Sequence, residues 1–435
     1  MAARACRETR TGSWRRSVSN KIEITDLLNP VLSDAVKGGL AYAAANPIEL
    51  SVEAILGKAR KDTGLTDFGP DDFRPRLTRL VDEWNGDTRM TALNRMILFD
   101  VASRHAANRL LIQDYLKKHP DVHDEVIDRP IIVVGLPRSG TTHLLNLLAA
   151  DSRLRSLPMW EGNEPLPNPL KPIGPDGIDP RYTRAVAEHE AAMASSPLTA
   201  AMHLVGPDDF DEDLFLMCPD FATYFWEWMS RVPKWRDFHT STDQTSHYEY
   251  QRTVLKILQH KRGPTRWVNK CPQHLEQLPV LKKVYPDAIV VMTYRDPVDA
   301  IQSAATMMTY AERARYPDID ARWVFDYWAD RVEQLLRASV QDRDVWPEAQ
   351  RVDVPFEALM KDEMSFVHAV QRKAGLPLSD KADAEIRHFV DTHPRGKHGQ
   401  VSYNIERDFG ASRDELRKRF AFYFDAYGPV APPLA

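Results

Sequence analysis

The residues of this chain best suited to chemistry stand in "PIIVVGLPRSGTTHLL", residues 130–145. Gly135 and Gly140 have the G-x-x-x-x-G spacing of a loop whose backbone N–H groups cradle an oxyanion at a helix N-terminus. A nucleoside-triphosphate loop would carry Lys after the second glycine, to reach the outer phosphates, and then Ser or Thr for Mg²⁺. Thr141 and Thr142 occupy those positions here. The cation sits inside the loop instead, as Arg138, whose planar fork suits an oxyanion. Pro137 bends the chain, Gly140 permits close approach of a ligand, and the threonine hydroxyls can donate. A second basic residue, Arg295 in "PDAIVVMTYRDP", follows another apolar run where a Mg²⁺ site would want an acid. Together these indicate a metal-free anion with fewer charges than a triphosphate. The plain alternative is an ordinary strand-to-helix turn, and the agreement of both glycines, Arg138 and both threonines with their flanks weighs against it.

Those flanks must position the loop. "IIVV" is a short β-branched run, fit for a strand buried on both faces of a parallel sheet. "THLLNLLAA" places Leu144, Leu147 and Leu148 on one helical face. Strand, loop and helix open a doubly wound α/β domain. The plan recurs in "PVLKKVYPDAIVVMTYRDPVDAIQSAATMM", with a strand over 288–293 and a helix opened by Asp296-Pro297. "TRWVNK" and "QRVDVPFEALM" predict further strands, and "FVHAVQRKAGLP" a helix ending at Gly375. Before the loop, residues 21–128 read as helical. Ile97, Val101, Leu110, Leu111 and Leu116 supply an apolar stripe that stops at His119-Pro120. This region is expected to be a cap for dimerisation or substrate enclosure. The proline-rich stretch 158–180 predicts an extended, surface-crossing segment. The organisation expected is a disordered tail over 1–20, a helical region over 21–128, and an α/β domain over 129–435 with a helical insertion at about 160–260.

Composition sets outer limits. The 435 residues carry 57 Lys and Arg against 62 Asp and Glu, a net charge of −5. That argues against a general nucleic-acid binder, which carries a basic excess. No apolar run is long enough to span a bilayer. Cys6, Cys218 and Cys271 are far apart and odd in number, which fits free thiols in a reducing cytosol rather than disulfides or a zinc site. The first twenty residues are Arg-rich without an apolar core, unlike a secretory signal, and a bacterial origin fits them better than a transit peptide.

Residues 137–142 resemble, position by position, the P-[KR]-S-G-T-T loop of sulfotransferases that use 3′-phosphoadenosine-5′-phosphosulfate. The resemblance extends to an Arg after a strand and a Ser eight residues later, here Arg295 and Ser303. It covers about 130–400 and implies a three-layer α/β fold of the P-loop-like type around a central parallel sheet. It also implies that Pro137, Arg138, Ser139, Gly140, Thr141, Thr142 and His143 hold the 5′-phosphosulfate, with Arg295 and Ser303 on the 3′-phosphate. By the same resemblance Phe356 in "VPFEALMKD" stacks on adenine without the hydroxyl common there. In "HPRGKHGQ" either Arg395 or Lys397 contacts the 3′-phosphate. No metal is implied.

The resemblance makes the reaction an in-line transfer of a sulfuryl group to a hydroxyl or amine. Catalysis is then mainly positioning and charge stabilisation by Arg138, Lys270 and the loop. A general base must take the acceptor's proton. Glu161, 23 residues past Arg138, ranks first; Glu164, His274 and Glu212 stay open. Each has an ordinary structural reading: a loop carboxylate, a capping histidine, a solvated acidic run. The aromatic run Phe215, Phe221, Tyr224, Phe225, Trp226, Trp228 and Trp235 reads as core or as an acceptor pocket for a phenolic, sterol-like or lipid-linked alcohol. A small-molecule or lipid-linked partner is expected, with homodimerisation open. The competing readings are a kinase or NTPase with Mg²⁺ and ATP, and an inactive nucleotide-binding protein of the same fold.

Overall fold

The computed structural model describes residues 21–203, 205–394 and 399–428. The expected tail over 1–20 and the two basic candidates Arg395 and Lys397 lie outside them. Seven strands occur among the described residues: β1 (Lys21–Glu23), β2 (Ile131–Val134), β3 (Leu154–Arg155), β4 (Arg266–Lys270), β5 (Ile289–Tyr294), β6 (Arg351–Pro355) and β7 (Gln400–Ser402). Five form one sheet in the order β3-β4-β2-β5-β6, and every pairing is parallel. β1 and β7 pair, also in parallel, in a small second sheet.

The central strands are apolar throughout because both faces are covered. Ile131, Val133, Val268, Ile289 and Val291 face the leucines of the helix Thr141–Ala149. Ile132, Val134, Trp267, Val290 and Met292 face the helices Thr245–Arg262 and Ala321–Asp342. This is the three-layer arrangement, and each such side chain contributes roughly 1.5–3 kcal/mol by leaving water. β5 lies one residue later than its apolar run predicts. β3, two residues at the sheet edge, is too short to announce itself in sequence.

Four helices, Asp34–Ala45, Val52–Thr63, Arg74–Gly86 and Ala92–Lys118, precede β2. The longest ends at His119, where Pro120 cannot continue it. Ile97 is a correction to the expected stripe: it is 37% exposed, and its neighbour Leu98 is the buried residue. The helices share a core with Phe221, Trp226 and Trp235, so three of the seven residues of the aromatic run serve as packing there. The proline-rich stretch is also corrected at its start, where Met159–Asn163 forms a short helix with Glu161 and Gly162 buried.

A buried ionic knot joins the helical region to that aromatic segment. The Asp220 carboxylate accepts from Arg76 at 2.6 Å, Arg109 at 2.9 Å and His247 at 2.6 Å. Burial alone would favour the neutral acid, but these three donors outweigh it and hold the carboxyl below its usual range. Asp220→Ala would leave two guanidinium groups without their buried acceptor. We expect it to cost about 3–5 kcal/mol in urea denaturation.

Candidate active site

The turn after β2 is fixed by a close approach of backbone to side chain. A Cβ on Gly135 would stand 1.8 Å from the Thr293 hydroxyl of β5, so only glycine fits. That hydroxyl bonds Ser139 Oγ at 2.7 Å, and Ser139 donates to the Leu136 carbonyl at 2.7 Å. Ser139 is fully buried, so its hydroxyl braces the turn from within. Arg138 has φ 68° and Gly140 φ 84°, both left-handed. For a non-glycine residue that conformation costs roughly 1–3 kcal/mol and persists only where neighbours impose it. The Arg295 guanidinium does so by donating to the Arg138 carbonyl. Alternating left-handed residues turn successive N–H groups toward one concavity, at the N-terminus of the helix Thr141–Ala149.

The two basic signatures therefore meet. Arg138 Nε donates to Ser303 Oγ at 3.0 Å, and Ser303 donates to the Tyr403 hydroxyl at 3.0 Å. Tyr403 follows β7 and belongs to no motif, so no local signal marks it. The Arg295 guanidinium lies 4.4 Å from the centre of the Phe356 ring, which also rests against Gly140. Arg295 Nε is buried with no partner, a donor that a phosphate oxygen would satisfy. Burial, and secondarily the charge of Arg295, holds the Arg138 pKa below its ordinary value. These features fit a bound nucleotide phosphate.

A cavity of about 710 Å³ opens on this turn. Pro137, Arg138, Gly140, Thr141, Thr142 and His143 line one part of it, with Arg295 and Phe356. His143 pairs with Glu363 at 2.8 Å. Phe215, Tyr224, Phe225 and Trp228 line the same cavity, so the aromatic run divides between core and pocket.

The acid–base candidates separate. Glu161 is 1% exposed and bonds Arg262 at 2.6 Å. Burial raises its pKa, against the opposing charges of Arg262, Arg181, Arg155 and Lys261. Met159 and Asn163, four residues apart on one helical face, line the cavity, and Glu161 between them does not. Glu164 accepts from Arg184 at 2.5 Å. His274 is fully buried with both ring nitrogens engaged, by Asp213 at 3.1 Å and by the Tyr248 hydroxyl at 2.9 Å. Of the base candidates Glu212 reaches the cavity, beside Asp211; Glu188 lines it as well. Its carboxylate accepts from Lys270 at 2.7 Å. The Lys270 side chain is wholly enclosed, behind Glu212. Burial raises the pKa of both acids, and their charges keep that of Lys270 above its ordinary value despite its own burial. His203 also lines the cavity, and burial, then the charges of Arg138 and Lys270, push it down to about 3. No local pattern marks His203; it arrives through the insertion's packing.

A model of the sulfotransferase family matches residues 130–380, more than half of the chain. The chain belongs to the sulfotransferase family. Its fold resembles two solved sulfotransferases. STF9 of Mycobacterium avium is 26% identical, with a TM-score of 0.77 over 87% of this chain and 97% of that one. STF1 of Mycobacterium tuberculosis is 29% identical, with a TM-score of 0.74 over 86% and 98%. No curated protein sequence matches significantly. The family match spans β2 to β6 and so contains the turn, Arg295, Ser303, Glu212 and Lys270. The matched structures extend over the helical region as well.

Gly135→Ala should cost about 1–3 kcal/mol through overpacking against Thr293. Adding Thr293→Ala should restore part of that loss, read as a coupling between the two in denaturant melts.

Proposed function

We propose that this sulfotransferase uses 3′-phosphoadenosine-5′-phosphosulfate as donor and transfers its sulfuryl group in line to an acceptor hydroxyl. The observation that carries the donor assignment is the junction of Arg138, Arg295 and Ser303, with the Arg295 Nε left unpaired beside Phe356. Pro137 to His143 would hold the 5′-phosphosulfate by backbone N–H groups and the Thr141 and Thr142 hydroxyls. Arg295 and Ser303 would hold the 3′-phosphate, with Arg395 or Lys397 as a further contact. Phe356 would stack on adenine. When bound, the donor supplies sulfur to the acceptor oxygen and a phosphate oxygen that keeps the electron pair of the broken S–O bond.

The chain's own part is charge and proton handling. Arg138 and the helix N-terminus stabilise charge on the oxygens around the transferred group. Glu212, facing the cavity, takes the acceptor's proton; Lys270 bonds it, orients it and neutralises its charge. Glu161, tied to Arg262, and His274, tied to Asp213 and Tyr248, keep structural roles in this reading. Thr141 rather than Lys follows the second glycine, and Arg295 rather than an acid follows β5 beside the turn, which weighs against a Mg²⁺-ATP kinase.

Adenosine 3′,5′-bisphosphate should raise the melting temperature without metal and by more than ATP with Mg²⁺; the reverse order would favour the kinase. Ser303→Ala and Arg295→Ala should weaken that shift. Glu212→Gln should keep it and lower kcat by about 10²–10⁴-fold, while Glu161→Gln changes kcat far less. Equal losses for both variants would remove Glu212 as the base. A base works only when ionised, and burial raises the Glu212 pKa. The rate should therefore fall on acidification at a pH above the ~4.3 of an ordinary glutamate, a limb that Glu212→Gln abolishes.

A further inference from the structure

The wall of the cavity beyond the anion turn identifies what the second substrate must be like. Phe215, Phe225 and Trp228 present flat apolar surface to it. Phe215 and Phe225 meet edge to face at 5.4 Å, and Trp228 is backed by Trp328 at 4.0 Å, so these walls are held by packing. Met159, Met193 and Met307 line it too. Methionine is unbranched and polarizable, and it adapts its shape to an apolar guest where an aromatic ring cannot. The three sit on separate helices, Met159–Asn163, Pro180–Ser195 and Pro297–Ala311.

The polar groups of the same lining restrict charge. Asp211 and Glu212 border the cavity and would repel a carboxylate or sulfate on an acceptor. Among the described lining residues the guanidinium groups are three. Arg138 and Arg295 belong to the donor turn, and Arg104 is bonded to Glu188 at 2.8 Å. Of the three histidines in the described lining, His143 is bonded to Glu363 and burial keeps His203 well below its ordinary pKa, which leaves His189. Asn163, Thr199 and His189 also line the cavity, but sugar hydroxyls laid against the flat faces of Phe215, Phe225 and Trp228 would lose their water partners there, at a cost of about 1–3 kcal/mol for each unpaired group.

Resting on the donor assignment above, we propose that the acceptor is an uncharged, bulky apolar alcohol, of the long-chain or fused-ring class, which lies along Phe215, Phe225 and Trp228 with its hydroxyl at Glu212. Its oxygen forms the new bond to sulfur, its proton passes to the Glu212 carboxylate, and the pair of the broken S–O bond leaves on the donor's phosphate.

The test uses the full chain, radiolabelled 3′-phosphoadenosine-5′-phosphosulfate, and four probes: dodecanol, naphthol, ω-hydroxydodecanoate and glucose. Transfer to dodecanol or naphthol should exceed that to hydroxydodecanoate by about tenfold in kcat/KM, and that to glucose by about a hundredfold. Trp228→Ala and Phe225→Ala should each raise KM for the better alcohol roughly tenfold, from lost apolar burial, with a smaller change in kcat. Melting shifts with adenosine 3′,5′-bisphosphate are recorded alongside for every variant. If glucose or the hydroxy acid is used as well as the apolar alcohols, the acceptor class is overturned. It is overturned equally if the bisphosphate binds and neither apolar alcohol is sulfated. If the bisphosphate itself fails to bind, the donor reading falls instead.

Discussion

The absence of a side chain at Gly135 is the constraint on which the site depends. It lets the Thr293 hydroxyl of β5 come against the end of β2, where it meets Ser139. Two neighbouring parallel strands are thereby tied at their C-terminal ends, the place where an open α/β sheet presents its ligand crevice. From that tie the rest follows in order. Arg295, two residues after Thr293, reaches back to the Arg138 carbonyl and holds the left-handed turn. Arg138 in turn reaches Ser303 on the next helix. A chain of contacts a few residues long thus joins the turn, Arg295 and Ser303.

The second half of the site is held by electrostatics of the opposite kind. Lys270, Asp211 and Glu212 put one enclosed cation against two acids in little solvent. A buried ion pair gives weak evidence of stability, because desolvation consumes most of the attraction. Its retention here is better explained by function: Lys270 keeps a carboxylate at the cavity wall that burial alone would protonate. Behind it Asp213 and His274 continue the same two segments inward, bonded to each other and to Tyr248 and Gln251. The polar network thus runs from Glu212 at the cavity wall into the core through Asp213, each carboxylate paired.

Much of this was legible in the chain. The loop, both flanking elements and the separation of Arg295 from Ser303 are local patterns, and local patterns survive folding because short-range sterics and helix periodicity enforce them. The family resemblance rests on the same residues. The placement of the base candidates was not legible in the same way. Glu161 has the favoured spacing from the loop, yet a five-residue helix turns it toward Arg262 while Met159 and Asn163 face the cavity. Two residues of helical phase decide this, and a proline-rich segment gives no periodicity from which to read phase. His203 and Tyr403 were invisible because each reaches the site by tertiary packing of segments far from any motif.

The aromatic run shows the same limit in a more instructive form. Its seven residues are equally apolar, and composition cannot sort them. The fold does: Phe221, Trp226 and Trp235 close the core against the N-terminal helices, while Phe215, Tyr224, Phe225 and Trp228 face the cavity. Phe221 sits in a left-handed conformation at φ 53°, after the short 3₁₀ helix Asp213–Asp220. Asp220 beside it is gripped by Arg76, Arg109 and His247. The N-terminal helices therefore do more than cover the α/β domain. They grip Asp220 and pack on Phe221, Trp226 and Trp235, and so hold the segment whose other rings form the wall against which an acceptor would lie.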